Sequence, residues 1–448
     1  MTYRDRLAAA LCALPAPLVA QPATSHDDMP GVMRPETATG HDIPNAQLDH
    51  EMAGMMPGDS MAGMAMGDGT SSYGSGTARL PFNDRMRGLH AMVGDWSIMA
   101  HGYAWGSTTD QGGPRGSARA FVQSMAMVQA SRGLAGSTGL TLRAMLSADP
   151  LMGQRGYPNL FATGETAYGE ALIDRQHPHD LFMELSARID RDVGGGTLFL
   201  YGGLPGEPAL GPAAFMHRGA ARFDPEAPIT HHWFDSTHIT YGVVTGGYAT
   251  RHWQVEASAF KGREPGENRT NIETPWLDSW SVRATWMASP AFSAEISYGH
   301  LDKPEALHPG RDEGRLIASA SYSAHGLDLT AAWSRKDLQP GRVLPAWLVE
   351  GTWAVSPRHA LFGRFENVLN SELFEREEQA GIDDPLARQA FRVSKFTAGY
   401  AYTLPLGRSF AVALGGAASA YAKSMRLDAA YGRHPHSVSL FAKLMLGR

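Results

Sequence analysis

WQVEASA at 253–259, WSVRATW at 280–286 and FSAEISY at 292–298 are the stretches that decide the fold. In each of them apolar and polar residues alternate, so a strand would carry apolar side chains on one face and polar side chains on the other. The polar face includes ionisable residues such as Glu256, Arg283 and Glu295. An apolar outer face and a charged inner face are typical of strands in a barrel that crosses a membrane.

The same alternation recurs from residue 95 to the end of the chain. The connections alternate between short ones, such as 250–252, and long ones, such as 149–180 and 204–235. Bacterial outer-membrane barrels have an even number of strands, short periplasmic turns and long extracellular loops. A soluble β-sandwich or propeller would instead place its charged residues on the outward faces. We therefore expect an all-β protein, a transmembrane antiparallel β-barrel of about sixteen strands, at 95–106, 117–130, 138–148, 181–190, 197–203, 236–249, 253–259, 280–286, 292–298, 315–324, 327–334, 347–355, 359–369, 396–404, 408–422 and 437–446.

The beginning of the chain divides into three parts. Residues 1–20 have basic residues followed by a short apolar core, which predicts a signal peptide; the single cysteine, Cys12, lies within it. Residues 21–76 are rich in Met, Gly, Asp and Pro and predict a disordered periplasmic segment. Residues 77–94 are expected to be a linker or a short helix at the barrel entrance, and the barrel itself spans 95–448.

The segment 21–76 is a candidate metal-binding region. Thioether sulfur is a soft ligand that selects Cu(I), and imidazole also binds copper. A flexible chain could wrap several such ligands around one ion, which makes Cu(I) the favoured cargo. The alternative is a linker whose methionines are incidental. The candidate ligands are His50, Met52, Met55, Met56, Met61, Met64 and Met66.

Histidine pairs recur at the ends of three long loops. His177 and His179 precede one predicted strand, His231 and His232 precede another, and the third pair is His434 and His436. The predicted topology places all of them at the outer rim, where the first four are candidate metal ligands. Inside the barrel, the alternation predicts lumen-lining residues at Glu184, Arg188, His238, Glu256, Arg283, Glu295, Glu350, Arg364 and Glu366.

Other function classes find little support in the sequence. The chain has 448 residues, a formal net charge of -6 and 19% charged residues, which does not suit a nucleic-acid-binding protein. We find no phosphate-binding loop, HExxH or CxxC motif. The nearest candidate for a catalytic triad, around His238, would lie on alternating faces of one strand. We therefore expect a protein that is not an enzyme.

Several motifs resemble a largely uncharacterised family of bacterial outer-membrane proteins, often encoded near copper and other heavy-metal resistance genes. The resemblance covers roughly 150–330, and the Met-rich leader before a barrel is similar in plan to copper resistance protein B. The resemblance implies a role in metal handling. Together with the predicted barrel, it leads us to expect outer-membrane lipid, metal ions and periplasmic copper-handling proteins as partners. The motifs are Gly164 to Ala171, Arg175 to Asp180, His231 to His238, Gly262 to Pro265 and Leu277 to Arg283.

Two functions follow from these patterns. The first is an outer-membrane barrel that contributes to copper or soft-metal binding, transport or resistance, with its N-terminal segment in the periplasm. The second is a general porin for small solutes, in which the leader is incidental.

Overall fold

The computed structural model describes residues 74–84, 86–374, 385–387 and 389–447. The signal peptide and nearly all of the Met-rich segment lie outside the described residues, and so do His50, Met52, Met55, Met56, Met61, Met64 and Met66.

Sixteen antiparallel strands form a closed barrel, as predicted. Each strand pairs with the next along the chain, and the last pairs with the first from Gly102 opposite Leu446 to Gln111 opposite Ser437. The strands are β1 Trp96–Gln111, β2 Ala118–Gly133, β3 Thr138–Leu146, β4 Phe182–Val193, β5 Gly196–Gly203, β6 Val243–Ala249, β7 Trp253–Phe260, β8 Ser279–Ser289, β9 Phe292–Leu301, β10 Asp312–Ala324, β11 Leu327–Gln339, β12 Val343–Ala354, β13 His359–Asn370, β14 Phe391–Leu406, β15 Phe410–Lys423 and β16 His436–Leu446.

Between β7 and β8 the register explains the alternation. Val255 lies opposite Ala284 on the outer face, and Glu256 lies opposite Arg283 on the inner face. Val255 is 60% exposed, whereas Glu256 and Arg283 are buried and paired at 2.9 Å between Oε1 and Nε. The apolar side chains therefore point out of the barrel and the charged ones into it, which suits a barrel surrounded by lipid.

Tryptophans form a girdle at each end of the outer surface. Trp253 stacks on Trp286 next to the short turns, with 5.9 Å between ring centroids. Trp280, the second residue of β8, meets Tyr298 at 5.7 Å near the opposite end. Such aromatic belts mark the two interfaces between a membrane and water. No helix in the described part of the chain is long and apolar enough to cross a membrane.

The stretch before β1 differs from expectation. Instead of a linker or short helix, residues 77–94 end in a strand, Leu89–Val93, which pairs with β1 between Trp96 and Ala100. Because β16 pairs with β1 only from Gly102 onwards, this leading strand covers the part of the β1 edge that β16 leaves open. Unpaired backbone groups are costly in lipid, which gives the short strand its physical role.

The predicted strand 236–249 was too long at its start. Its first part, Ser236–His238, is a 3-10 helix inside a loop, and the strand begins at Val243. The connection between the strands predicted at 327–334 and 347–355 is shorter than expected, because β11 continues to Gln339 and β12 begins at Val343.

The long loops contain the remaining secondary structure. Two small antiparallel pairs join Tyr157–Pro158 to Arg175–Gln176 and Glu165–Ala167 to Glu170–Leu172. The described residues also include short helical turns. Two are α-helical, His231–Phe234 and Asp428–Tyr431, and the 3-10 turns are Asp149–Met152, Phe215–His217, Gly219–Ala221, Ser236–His238 and Met425–Leu427.

One long loop, residues 204–242, folds into the lumen. Its Arg218 bonds Glu350 of β12, and its Glu226 pairs with Lys395 of β14 at 2.8 Å. On other sides of the barrel the same loop accepts a hydrogen bond from Arg283 of β8 and receives bonds from Thr109 of β1 and Ser439 of β16. The loop therefore crosses the lumen and is held by strands around it.

Residues 74–84 also lie inside the barrel. Gln254 and Arg283 donate hydrogen bonds to Thr77, and Asp84 accepts one from the backbone of Gly219 in the lumen loop. Asn83 bonds the carbonyl of Ser323 near a short turn. The segment thus fills the short-turn side of the lumen beneath loop 204–242.

Candidate histidine metal centre

Five histidines from two loops meet inside the barrel. His177 and His179 belong to the loop between β3 and β4, and His231, His232 and His238 belong to the lumen loop 204–242. All five are buried. The predicted site at the outer rim was misplaced, because both loops turn inward rather than extending away from the membrane.

The histidine rings are in mutual contact. The ring of His177 lies 6.0 Å from those of His231 and His232, and His231 lies 5.1 Å from His238. His179 joins the group through His238 at 5.4 Å. One ligand atom each from His177, His231 and His232 lies within 4.8 Å of the others, close enough to share one ion. We call these five residues the histidine cluster.

Each histidine is oriented by a bond to its Nδ1 atom. Three partners are carboxylates: Asp149 for His179 at 2.8 Å, Asp235 for His231 at 2.7 Å and Glu264 for His232 at 3.2 Å. The other two are backbone carbonyls: that of Pro178 for His177 at 3.0 Å and that of Asp235 for His238 at 2.7 Å.

Carbonyl oxygens and ionised carboxylates only accept hydrogen bonds, so each neutral ring carries its proton on Nδ1. Its Nε2 atom then presents a lone pair. This is the tautomer of a metal-ligating histidine, whose second nitrogen donates to a carboxylate or carbonyl.

Three of these Nε2 atoms have no hydrogen-bond partner among the described residues. They belong to His177, His179 and His238 and are buried. The Nε2 atom of His177 lies 3.5 Å from a carboxylate oxygen of Glu165. Leaving a buried polar atom without a partner costs about 1–3 kcal/mol. A cation bound between the rings would satisfy these lone pairs.

Burial controls the charge of the cluster. It lowers the pKa of His177, His231 and His238, so these rings remain neutral to a more acidic pH than an exposed imidazole. For His232 burial also acts to lower the pKa, but the adjacent Glu264 carboxylate outweighs it and the net shift is upward. Glu264 is itself held ionised, with a pKa of about 2, by His232 and other cations despite its burial.

The His232 ring packs against a glycine, where a side chain would leave no room for it. Gly164 has a φ of +118°, and a Cβ atom there would lie 2.6 Å from the His232 ring. Nearby, Arg269 binds Glu165 at 2.7 Å and Asp180 at 3.3 Å. The motifs that carried the family resemblance, at 164–171, 175–180, 231–238 and 262–265, therefore converge on this one site.

A second buried cluster was not predicted. Glu305, His308 and Glu372 bring three ligand atoms within 4.8 Å of one another. The Lys336 ammonium bonds Glu305 inside the group, and Lys336 also lies 3.2 Å from Glu313. Because a resident cation already balances these carboxylates, we interpret the cluster as an ion-pair network. The spacing Glu305-x-x-His308 was its only signal in the sequence.

Three of the predicted lumen residues, Glu350, Arg364 and Glu366, take part in the contacts that hold the lumen loop. Glu350 accepts from Arg364 at 2.8 Å and from Arg218 of the loop at 2.6 Å. Glu366 accepts from Thr230 of the loop at 3.0 Å.

The other predicted lumen residues lie on the inner wall. Glu184 accepts from Tyr201 at 3.0 Å, and Arg188 pairs with Asp190 at 2.8 Å. Glu295 is half-buried, beside the pair formed by Glu256 and Arg283. His238 is the exception, because it lies in the loop rather than on a strand.

Sequence reasoning missed the residues that orient the histidines, namely Asp149, Asp235 and Glu264. Asp235 follows its histidine by four residues, and this spacing is a usable signal on a helical turn. Asp149 comes from another loop and gave none, whereas Glu264 lies in the motif Gly262 to Pro265, whose contact with His232 the sequence alone did not indicate. His434 and His436 are exposed and do not join the histidine cluster.

No protein-family model matches the chain, and no curated protein matches it in sequence. Salmonella typhi OmpF, solved in complex with daunomycin, is similar with a TM-score of 0.52 and 8% identity, over 80% of this chain and 100% of that chain. The outer membrane channel DcaP of Acinetobacter baumannii gives a TM-score of 0.46 and 11% identity, over 80% and 99% of the two chains. Pseudomonas putida OprB gives 0.47 and 12%, over 79% and 94%. The likeness to OmpF concerns the fold alone, and this chain has the barrel fold of an outer-membrane porin.

Proposed function

We propose that this protein is an outer-membrane barrel that binds copper, or a chemically similar metal ion, at the histidine cluster and contributes to its transport or to metal resistance. The observation that carries the proposal is the common orientation of the five rings. Each donates its Nδ1 proton to an oxygen acceptor, which leaves Nε2 as the ring nitrogen that can coordinate a metal.

The chemistry of the donors supports copper as cargo. Imidazole binds Cu(I), Cu(II) and Zn(II), and burial keeps most of these rings in the neutral form that coordinates a metal. The candidate leader ligands from His50 to Met66 would add thioether donors that prefer Cu(I). In an outer-membrane barrel the short turns face the periplasm. Residues 77–84, which follow the leader, lie on the short-turn side of the lumen. The proposal therefore places the leader in the periplasm.

A general small-solute porin is the second candidate, and the porin-like fold is the observation in its favour. The lumen loop argues against a wide channel, because its bonds to Glu350 and Lys395 hold it across the barrel. Conductance measured in planar bilayers would separate the two candidates. A general porin would conduct small ions freely, whereas a barrel whose lumen is crossed by the loop around a metal site would give low conductance.

The proposal is tested by removing imidazoles. We expect the variant H177A/H231A/H232A to bind Cu(II) at least about ten-fold more weakly than the wild type, since ligands to one ion are lost together. Electron paramagnetic resonance of the bound Cu(II) should lose its multiple-nitrogen hyperfine pattern.

The matched control is H434A/H436A, which removes exposed histidines and leaves the leader unchanged. It should bind Cu(II) as the wild type does. Equal affinity and equal spectra for the wild type and H177A/H231A/H232A, with the barrel intact on a heat-shift gel, would disprove the proposal.

A further inference from the structure

A group of methionines is buried within the lumen. Met125, Met127, Met145 and Met183 are each no more than 1% exposed and pack against one another with Ile239. Four partly buried residues extend the group: Met86, Met99, Tyr103 and Met216. We call the seven methionines the methionine cluster.

Strand register brings these side chains together. Met127 of β2 lies opposite Met145 of β3 on one side and opposite His101 of β1 on the other. Met125 lies opposite Tyr103. Directly opposed residues on one face of a sheet have Cβ atoms about 4.5–5.5 Å apart, so their side chains touch.

The methionine cluster adjoins the histidine cluster. Ile239, which packs among the methionines, directly follows His238. Met216 directly follows Phe215, whose ring contacts His179 at 6.1 Å and His231 at 5.7 Å. The two clusters therefore share a border formed by the lumen loop.

On its other side the methionine cluster borders a cavity of about 450 Å³ near the short turns. Met86 and Met216 belong both to the cluster and to the lining of this cavity, and Tyr103, Met445 and His217 line it as well. In the part of the chain that the structure describes, neither ring nitrogen of His217 has a hydrogen-bond partner. The cavity therefore offers further soft and imidazole donors next to the cluster.

Methionine is unusual at these wall positions. In a membrane barrel the inner face is polar, and here the positions in phase with the methionines carry Gln123, Gln129 and Arg143. Apolar filling alone would be served equally by leucine, which lacks sulfur. Thioether sulfur is a ligand that selects soft monovalent ions such as Cu(I).

We propose that the methionine cluster is a second binding site, specific for a soft monovalent ion, Cu(I) or Ag(I), between the histidine cluster and the cavity. The inference rests on the proposed function, since it gives an ion held by the histidines a next position. It involves no change of oxidation state, because imidazole also binds Cu(I).

The test uses the full chain labelled with ¹³C at the methionine methyl groups. Ag(I) serves as the probe because it does not undergo redox chemistry under these conditions. Single Met→Leu variants assign the signals of Met125, Met127, Met145 and Met183. We expect these signals to shift as Ag(I) is added, while the signal of Met287, which is buried outside the cluster, stays in place.

Binding stoichiometry gives an independent readout. The variant M125L/M127L/M145L/M183L should bind about one Ag(I) fewer per chain than the wild type, since it loses the four fully buried thioether donors of the cluster and keeps only the three at its margin. The control M92L/M152L/M287L/M425L removes the same number of methionines elsewhere and should lose none. The leader is unchanged in both variants, so its own binding cancels in the comparison.

The inference is overturned if the cluster signals do not move while others do, or if the two four-site variants bind equal amounts of Ag(I). The proposed function is judged separately, from Cu(II) binding by H177A/H231A/H232A. A failure of one is therefore distinguishable from a failure of the other.

Discussion

Replacing Asp235 by asparagine tests how the histidine cluster is organised. One oxygen of Asp235 accepts from His231 Nδ1 at 2.7 Å. The other accepts from Arg218 and from the backbone N–H of Phe215, both at 2.9 Å. Asparagine has only one oxygen, so its amide must point donors either at His231 or at Arg218.

The magnitudes follow from these contacts. Losing the group that orients a metal-ligating histidine costs about 10- to 100-fold in metal affinity, or about 1.4–2.8 kcal/mol of binding free energy. Breaking a buried ion pair costs about 3–5 kcal/mol of stability. Because Arg218 keeps Glu350 at 2.6 Å, we expect the lower end of that range.

The assay is competitive Cu(II) titration of the purified barrel, with the temperature of the heat-shift transition as the measure of stability. The control is Glu256→Gln, which disturbs the buried pair with Arg283 away from the histidines. Both variants should be less stable than the wild type, but only Asp235→Asn should bind copper more weakly. Copper affinity of Asp235→Asn within about two-fold of the wild type, with the barrel folded, would refute this account of the site.

Three further predictions concern pH, backbone and the lumen loop. Copper affinity should rise with pH as His232, whose pKa is raised by the neighbouring Glu264 carboxylate, loses its proton, and Glu264→Gln should move this rise to lower pH. Titrations at several pH values check it, and an unchanged profile in the variant would contradict the assigned role of Glu264. Gly164→Ala should weaken copper binding as His232→Ala does, because its Cβ would lie 2.6 Å from the His232 ring, whereas Gly169→Ala, also at positive φ but with open space around it, should not. Glu226→Ala should raise single-channel conductance, because it leaves Lys395 without its carboxylate at 2.8 Å and so loosens the lumen loop at a cost of about 3–5 kcal/mol; conductance equal to that of the wild type would show that the loop is held otherwise.

The barrel could be predicted because the pattern that specifies it lies within each strand of the sequence. An inner and an outer face impose a period of two on every strand, and segments such as 253–259 and 280–286 display it directly. The strand count is confirmed. The strand predicted at 236–249 was wrong in its first part. Those residues belong to a loop whose polar groups contact buried partners, and they do not follow the period of a strand.

The candidate site could be predicted only in part. The pairs at His177 and His231 stood out because the residue type itself suggests metal binding, and their role in binding metal stays a prediction. Their burial could not be foreseen, because loop 204–242 has no periodicity and turns inward to pair with distant residues such as Glu350. Met127 and Met145 looked like ordinary apolar strand residues, and only their phase with Gln129 and Arg143 places them on the inner wall.

The lumen wall is divided into two chemically different arcs. From β7 to β14 the inner face carries ion pairs, including those of Arg283 and Arg364, that bind one another or the lumen loop. On β1 and β2 the inner positions from Met99 to Gln111 and from Phe121 to Gln129 carry no Asp, Glu, Lys or Arg. An ion moving along the charged arc would have to part buried pairs, each at a cost of about 3–5 kcal/mol. Along β1 and β2 it would meet thioethers such as those of Met125 and Met127 and no charged pair, so this uncharged arc offers the lower barrier for a soft cation while the charged arc keeps the loop in place.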